Sequence, residues 1–434
     1  MIGASFAIVT LGCPKNEADS DRLEAALRGA GHRPAPLSSA DLVLVNTCGF
    51  IDAAKQESID ALLDACELAH ERGARVAAYG CLVARHADEL RTELPEVDLF
   101  SPFDLMPILE LLERVGPTSA EGGEEPAGAA VAGAVARRPR PVHSYLKISD
   151  GCDRRCTYCA IPLIKGTYEA VPPRQILRHA EAALERGARE LVLVGQDTSR
   201  WQAAGYGGLG RLLGDLRGLG ATWLRLLYLQ PDGVSDALLE ALAASAVPYL
   251  DLPLQHASRR ILRAMGRRGD GQAYLELLDR VRSVLPDVAL RSTFIAGFPG
   301  ETEADVDELI DFIEAAAMAV AGVFPFDPQE GTIAAGLPGQ VPEHVRSERA
   351  ARVGDAVARA ADAYWRGFVG REVEVLLERG SRGAAPEAVG RIAQQAPDVD
   401  GTTVVNGAVG RRGQVVRALV DGVAGYHLLA RAVT

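Results

Sequence analysis

Three cysteines stand at C-x3-C-x2-C spacing in Cys152-Asp153-Arg154-Arg155-Cys156-Thr157-Tyr158-Cys159, directly after an apolar-alternating run, Val142 to Ile148, that reads as a strand. A loop this tight can wrap three thiolates around one cubane iron–sulfur cluster, which takes four ligands and is most often held by four Cys. The next cysteine in the chain is Cys81, so one iron lacks a protein thiolate. An open iron is what a cluster needs to bind and reduce a small molecule rather than only pass electrons. Zinc is the competing reading. Structural zinc takes paired C-x2-C knuckles and four protein ligands, which this stretch does not supply.

A second set of cysteines is scattered in sequence but regular in position. Residues 1 to about 115 alternate strand and helix: Phe6–Val9, a helix from about Glu17 to Arg28, Asp41–Val45, a helical run from about Asp52 to Glu71, Arg75–Tyr79, and a helix from about Arg85. Continuous apolar strands between helices indicate a buried parallel sheet with right-handed crossovers, hence a small doubly wound domain. Each strand runs into a cysteine, as Leu11-Gly12-Cys13, Asn46-Thr47-Cys48 and Tyr79-Gly80-Cys81. Ligand sites in such sheets lie beyond the carboxyl ends of the strands, so the three should converge on one point as a second three-thiolate cluster. A buried Cys can also be a small hydrophobe. That suits Cys66, mid-helix among Leu62, Leu63 and Leu68, but not three strand ends in a row.

Residues 116–141 have no apolar periodicity and read as a flexible linker. From Val142 to about Arg366 alternation resumes, with strands Glu190–Val194, Trp223–Leu227, Tyr249–Asp251, Ala289–Ile295 and Ala321–Phe324. The intervening helices include one opened by Pro172-Pro173, one from about Leu209, one near Ser235–Ala244 and Glu303–Ala316. About six βα units predict an open or partial (β/α) barrel with its site at the strand carboxyl ends. Those ends carry Gly195-Gln196-Asp197-Thr198, Pro253-Leu254-Gln255-His256 and Ala296-Gly297-Phe298-Pro299-Gly300-Glu301. Gln196, Asp197 and Gln255 suit hydroxyls and a charged head on a nucleotide-like cosubstrate, and Gly297 lets backbone approach it. Each also reads as a turn or a cap. Arg291 faces into the barrel or out of it by register, and facing in it could pair with a carboxylate. From about Phe368, five short strands with Gly/Asp turns predict a small all-β barrel.

Composition narrows the class. A chain of 434 residues holds two or three domains. Its start has no basic segment before an apolar run, as an export signal needs, and no apolar run approaches the roughly 18–20 residues of a membrane helix. Seven cysteines are then expected as reduced thiols in the cytosol, with no membrane partner. A net charge of −12 disfavours nucleic acid, where affinity comes from Lys and Arg at phosphates, and favours a basic protein partner. The stretch Phe368–Thr434 carries eight Arg and no Lys against seven Asp and Glu, a weak grip for RNA.

The cysteine loop resembles the signature of the radical S-adenosylmethionine (SAM) enzymes, and Tyr158, before the third cysteine, fits that pattern. The whole chain, linker apart, resembles the methylthiotransferases of that class. The resemblance implies residues 1–115 as an N-terminal domain with an auxiliary [4Fe–4S] cluster on Cys13, Cys48 and Cys81. It implies 142–366 as a radical SAM partial barrel with a [4Fe–4S] cluster on Cys152, Cys156 and Cys159, and 367–434 as a TRAM domain, with Ala396-Pro397-Asp398-Val399-Asp400-Gly401 as its segment. SAM and a reductant such as flavodoxin or ferredoxin are implied with them. In that family one SAM methylates a sulfur on the auxiliary cluster, and a second yields a deoxyadenosyl radical that takes a hydrogen from the substrate.

One branch modifies an adenosine of tRNA, the other an aspartate β-carbon in small-subunit ribosomal protein twelve. Cys13-Pro14-Lys15-Asn16, Gln196-Asp197-Thr198 and Pro253-Leu254-Gln255-His256-Ala257-Ser258 resemble the ribosomal-protein branch, with tRNA as the alternative. Lys165-Gly166-Thr167-Tyr168 departs from the family, which carries more arginine after the glycine. The TRAM barrel is expected to grip the protein substrate by pairing an edge strand with one of its loops.

Overall fold

The computed structural model describes residues 3–101, 106–115, 141–381 and 386–433. The expected linker, but for Pro141, lies outside them. The described residues form two compact units, one made of those within 1–140 with 151–153 and 160–167, the other of the remainder. Each contains part of the cysteine loop.

The first unit is built on a five-stranded parallel sheet. Its three long strands, Ser5–Thr10, Leu42–Thr47 and Arg75–Gly80, are neighbours in that order. Two short strands, Arg33–Pro34 and Val97–Leu99, flank them. Val43, Val45, Val76 and Ala78 pack on the helices of one face, and Leu42, Leu44, Ala77 and Tyr79 on those of the other. This two-sided burial is why the strands read as continuous apolar runs. Two helices begin earlier than the sequence predicts. One runs Pro14–Gly29 with Cys13 as its N-cap, and the other starts at Cys81 itself. Pro14 occupies the first turn, where its missing N–H costs nothing.

The second unit joins two barrels. Strands His143–Lys147, Glu190–Val194 and Trp223–Leu226 form one parallel ladder, and Tyr249–Asp251, Ala289–Ala296 and Val320–Pro325 another. Backbone bonds Val247 N–H to Leu224 O and Leu229 N–H to Asp251 O connect them, giving six strands side by side in chain order as an open barrel. Leu191, Leu193, Leu224, Leu226, Leu250, Leu290 and Phe294 form one apolar core with the surrounding helices. The alternate residues Glu190, Arg225, Tyr249, Asp251 and Arg291 therefore turn to the barrel interior, which fixes the register of Arg291 as inward. A 24-residue helix, Glu343–Arg366, closes the barrel domain. The sequence reading missed it, because its buried face is mostly Val353, Ala356, Val357, Ala360 and Ala361, too small to give an apolar stripe.

Strands Glu372–Arg379, Glu387–Arg391, Thr403–Asn406, Val415–Ala424 and His427–Ala432 close into the expected C-terminal barrel. Closure corrects one expectation. With the first strand paired to the fourth, no strand of this barrel is an edge, so none is open to receive a substrate loop.

Candidate active site

Cys13, Cys48 and Cys81 follow three adjacent parallel strands, and the sheet brings them together. A Cβ on Gly12, next to Cys13, would lie 2.9 Å from Cys48 Sγ. The pocket is held by polar groups at the strand ends. Asn16 donates to the carbonyls of Leu11 (2.7 Å) and Thr47 (3.2 Å), tying two strands at their ends. Asn46 donates to Asn16 O and Ser20 Oγ. Ser58 Oγ accepts from Cys48 N–H and donates to Cys48 O. Gly80 has φ +105°, and a side chain there would strike Thr47 O at 2.4 Å, so only glycine lets the strand turn into Cys81.

Two of the three thiols, Cys48 and Cys81, are buried. Burial pushes the Cys48 thiol up, and pushes Cys81 up to about 12, with its two cysteine neighbours raising it and Lys165 lowering it. Iron–sulfur binding there would replace those protons, and the first turns of two helices, at Cys13 and Cys81, would favour the resulting negative charge. Lys165 is 7 % exposed and pairs with Asp19 at 3.7 Å, so the basic group at the departure Lys165-Gly166 belongs to this neighbourhood. Among the described residues no three His, Cys, Asp or Glu side chains surround the position of a single ion. A four-iron cluster spreads its thiolates over different irons, so they stand further apart than ligands of one ion. Cys66 packs against the apolar core, and burial raises its thiol to about 11.

In the second unit, strand Ser149–Asp150 pairs with Glu169–Ala170 and closes the base of the cysteine loop. Cys159 N–H donates to Cys156 O at 3.2 Å. Tyr158 packs against Ile261, Met265 and Phe298, and burial holds its phenol well above the ordinary range. Asp197 is fully buried and serves the loop itself. Its carboxylate accepts from Arg154 Nε at 2.6 Å and Ser199 Oγ at 2.6 Å, and Arg154 also reaches Asp232. Gln196 keeps a buried Oε1 with no hydrogen-bond partner among the described residues. Gln255 takes φ +72°, a strained conformation for a non-glycine residue, while its backbone bridges to the strand containing Phe294. Gly297 (φ +77°) is required by a protein neighbour, since a Cβ there would lie 2.4 Å from Arg346 Cγ. His256 Nδ1 accepts from the N–H groups of Ala257 and Ser258, both at 2.9 Å, and Nε2 faces Glu301 at 3.3 Å. Arg291 is held by Asp251 at 3.4 Å, and Asp251 also accepts from Tyr228 N–H.

Residues the sequence reading missed stand behind the loop. Thr157 N–H donates to Met265 O (3.0 Å) and Thr157 Oγ1 to Ala264 O (2.8 Å), and Arg267 Nη1 reaches Cys156 Sγ at 3.9 Å. Their only signal is the Gly266-Arg267 turn after the helix Arg259–Ala264, which nothing in the sequence ties to the cysteines.

Six parallel strands in an open barrel, with C-x3-C-x2-C after the first, define the class: a radical SAM enzyme, whose cofactors are SAM and a [4Fe–4S] cluster. Residues 146–313 match the Radical SAM superfamily, 5–101 match "Uncharacterized protein family UPF0004", and 369–433 match the TRAM domain. The ribosomal protein uS12 methylthiotransferase RimO of Moorella thermoacetica is 41 % identical over 94 % of this chain and 95 % of its own length. That of Anaeromyxobacter sp. (strain Fw109-5) is 40 % identical over 98 % of this chain and 92 % of its own. The chain belongs to the uS12 methylthiotransferase family. Among solved structures, the radical SAM methyltransferase TsrM of Kitasatospora setae superposes with a TM-score of 0.54 at 15 % identity, over 76 % of this chain and 77 % of that one. The radical enzyme OxsB superposes with a TM-score of 0.51 at 13 % identity, over 82 % and 56 %. At such identities the likeness is one of fold. No described helix is long and apolar enough to cross a membrane.

Proposed function

We propose that this chain methylthiolates the β-carbon of an aspartate in ribosomal protein uS12, using two three-cysteine clusters. The observation that carries the reading is the placing of Cys13, Cys48 and Cys81 beyond three adjacent strands, in a chain that also has the radical loop. Replacing an unactivated C–H by C–S needs both a hydrogen acceptor and a sulfur source, and two cysteine sets provide for both. Residues 1–115 carry the auxiliary set, 142–366 the radical set of Cys152, Cys156 and Cys159, and 367–434 the TRAM domain. When bound, the clusters and SAM supply the electron, the hydrogen-abstracting radical and the sulfur.

The chain's own groups hold and shield. Tyr158 seats the loop on apolar packing, and Asp197 fixes Arg154 and with it the loop backbone. Gln196, Gln255 and Gly297 line the cosubstrate side. Arg291, anchored by Asp251 and turned inward, offers its remaining donors to a carboxylate. The acidic chain (net −12) suits a basic substrate protein, and that attraction should weaken as added salt shortens the Debye length. A small reductant such as flavodoxin or ferredoxin delivers the electron, and the work is done in the cytoplasm. The test is mass spectrometry of uS12 from a strain lacking this gene. Loss of one methylthio group, restored by the wild-type gene, supports the reading. An unchanged mass overturns it.

A further inference from the structure

The loop behind Cys156 is built more closely than a support needs. Gly266 has φ +72°, and a Cβ there would fall 2.5 Å from Arg155 O, so the two backbones touch where only glycine fits. Thr157 is tied to Met265 and Ala264, and Ala334 N–H donates to Thr157 O at 2.8 Å. From this turn Arg267 sends one donor to Cys156 Sγ at 3.9 Å and another to Pro253 O at 2.7 Å. The second bond fixes the guanidinium, so the first is not the chance reach of a mobile side chain. The flanking groups that bear on its charge are the phenols of Tyr158 and Tyr274, the Cys156 thiol itself and the Asp232 carboxylate.

We propose that Arg267 is a positioning residue that sets the reduction potential of the radical cluster through Cys156. The proposal rests on Cys156 being a ligand of that cluster. A cluster with three thiolates gains one negative charge on reduction. A fixed, half-buried cation at a ligand sulfur stabilises the more negative state more than the less negative one. Hydrogen bonds to sulfur and local charge are among the factors that set such potentials. Arginine serves better than lysine, because it stays charged and can bind Pro253 O and Sγ with separate nitrogens.

The experiment is an EPR-monitored redox titration of the anaerobically reconstituted full chain in a Cys13/Cys48/Cys81→Ala background, so that one cluster gives the signal. Arg267, Arg267→Lys and Arg267→Gln are compared, with iron counted in each. The expected result is equal iron in all three and a midpoint that falls in the order Arg, Lys, Gln. The Gln variant should shift by about 59 mV or more, a tenfold change in the one-electron reduced-to-oxidised ratio. Full iron with an unchanged midpoint in both variants would overturn the proposal. So would loss of iron in both, which would make Arg267 a builder of the loop only. If only Gln loses iron, the Lys midpoint decides: lowered supports, unchanged overturns. Failure of Cys156 as a ligand would show separately, as Cys156→Ala keeping full iron.

Discussion

Arg391 Nη2 lies 2.6 Å from Glu190 Oε2, and neither side chain meets solvent. Glu190 begins the second strand of the open barrel and Arg391 ends the second strand of the closed one, so a buried ion pair fastens the TRAM barrel to the base of the catalytic barrel. Arg225 completes the arrangement, with Nε 2.6 Å from Glu190 Oε1 and Nη2 donating to Gln395 O at 3.0 Å. The turn beyond Gln395 joins it, as Tyr145 Oη donates to Asp398 at 2.9 Å. The TRAM barrel is thus a fixed floor of the catalytic domain.

Replacing Glu190 by Gln leaves the buried Arg225 without a counter-charge and Arg391 with Glu378 at 2.7 Å alone, and should cost about 3–5 kcal/mol. The measurement is the urea midpoint of the purified variant at neutral pH. Acid should erase the difference. Burial raises the Glu190 carboxyl, but Arg225 and then Arg391 outweigh burial and hold it at about 2, below its ordinary 4.5. A depressed carboxyl contributes stability fully above the unfolded value and loses it as pH falls toward the folded one. The gap between wild type and Glu190→Gln should therefore narrow from about pH 4.5 downward. A gap constant to pH 3 would show that the pair contributes nothing through charge.

Two sets of three cysteines predict about eight irons per chain after anaerobic reconstitution. Changing Cys152, Cys156 and Cys159 to Ala should leave about four and abolish reductive cleavage of SAM. Changing Cys13, Cys48 and Cys81 should also leave about four but keep cleavage. Cys66→Ala should alter neither iron nor cleavage, since that thiol packs against the core. Wild-type iron in the second triple variant would remove the auxiliary cluster from the account.

Gly266→Ala should empty one cluster and spare the other. The substitution forces a side chain into a left-handed backbone and against Arg155 O at 2.5 Å, a strain of order 1–3 kcal/mol before any clash is counted. Iron should fall to about half of wild type, with the EPR signal of the SAM-binding cluster lost. Full iron and normal cleavage would mean that the loop moves aside freely.

Much of this was legible because apolar periodicity survives in the sequence. Buried parallel strands such as Glu190–Val194 and Tyr249–Asp251 announce themselves as short Leu/Val-rich runs. The convergence of the strand-end cysteines was legible too, because adjacent parallel strands carry their ends to one side of a sheet. What stayed hidden depends on partners distant in sequence. The bond of Asp197 to Arg154 joins residues 43 apart in sequence. Arg267 is 111 residues from Cys156, and nothing local marks either pairing. The edge-strand docking expectation failed because closure is a property of all five strands together, and no single strand records it.

A side-by-side transfer assay decides which substrate this chain modifies. Reconstituted protein, reductant and SAM are supplied with purified uS12, with whole small subunits, or with hypomodified tRNA, and each is analysed by mass spectrometry. The expected result is a methylthio group on one aspartate of uS12, free or in the subunit, with transfer slowing as ionic strength rises, and none on tRNA. Transfer to tRNA, with none to the protein or the subunit, would contradict it.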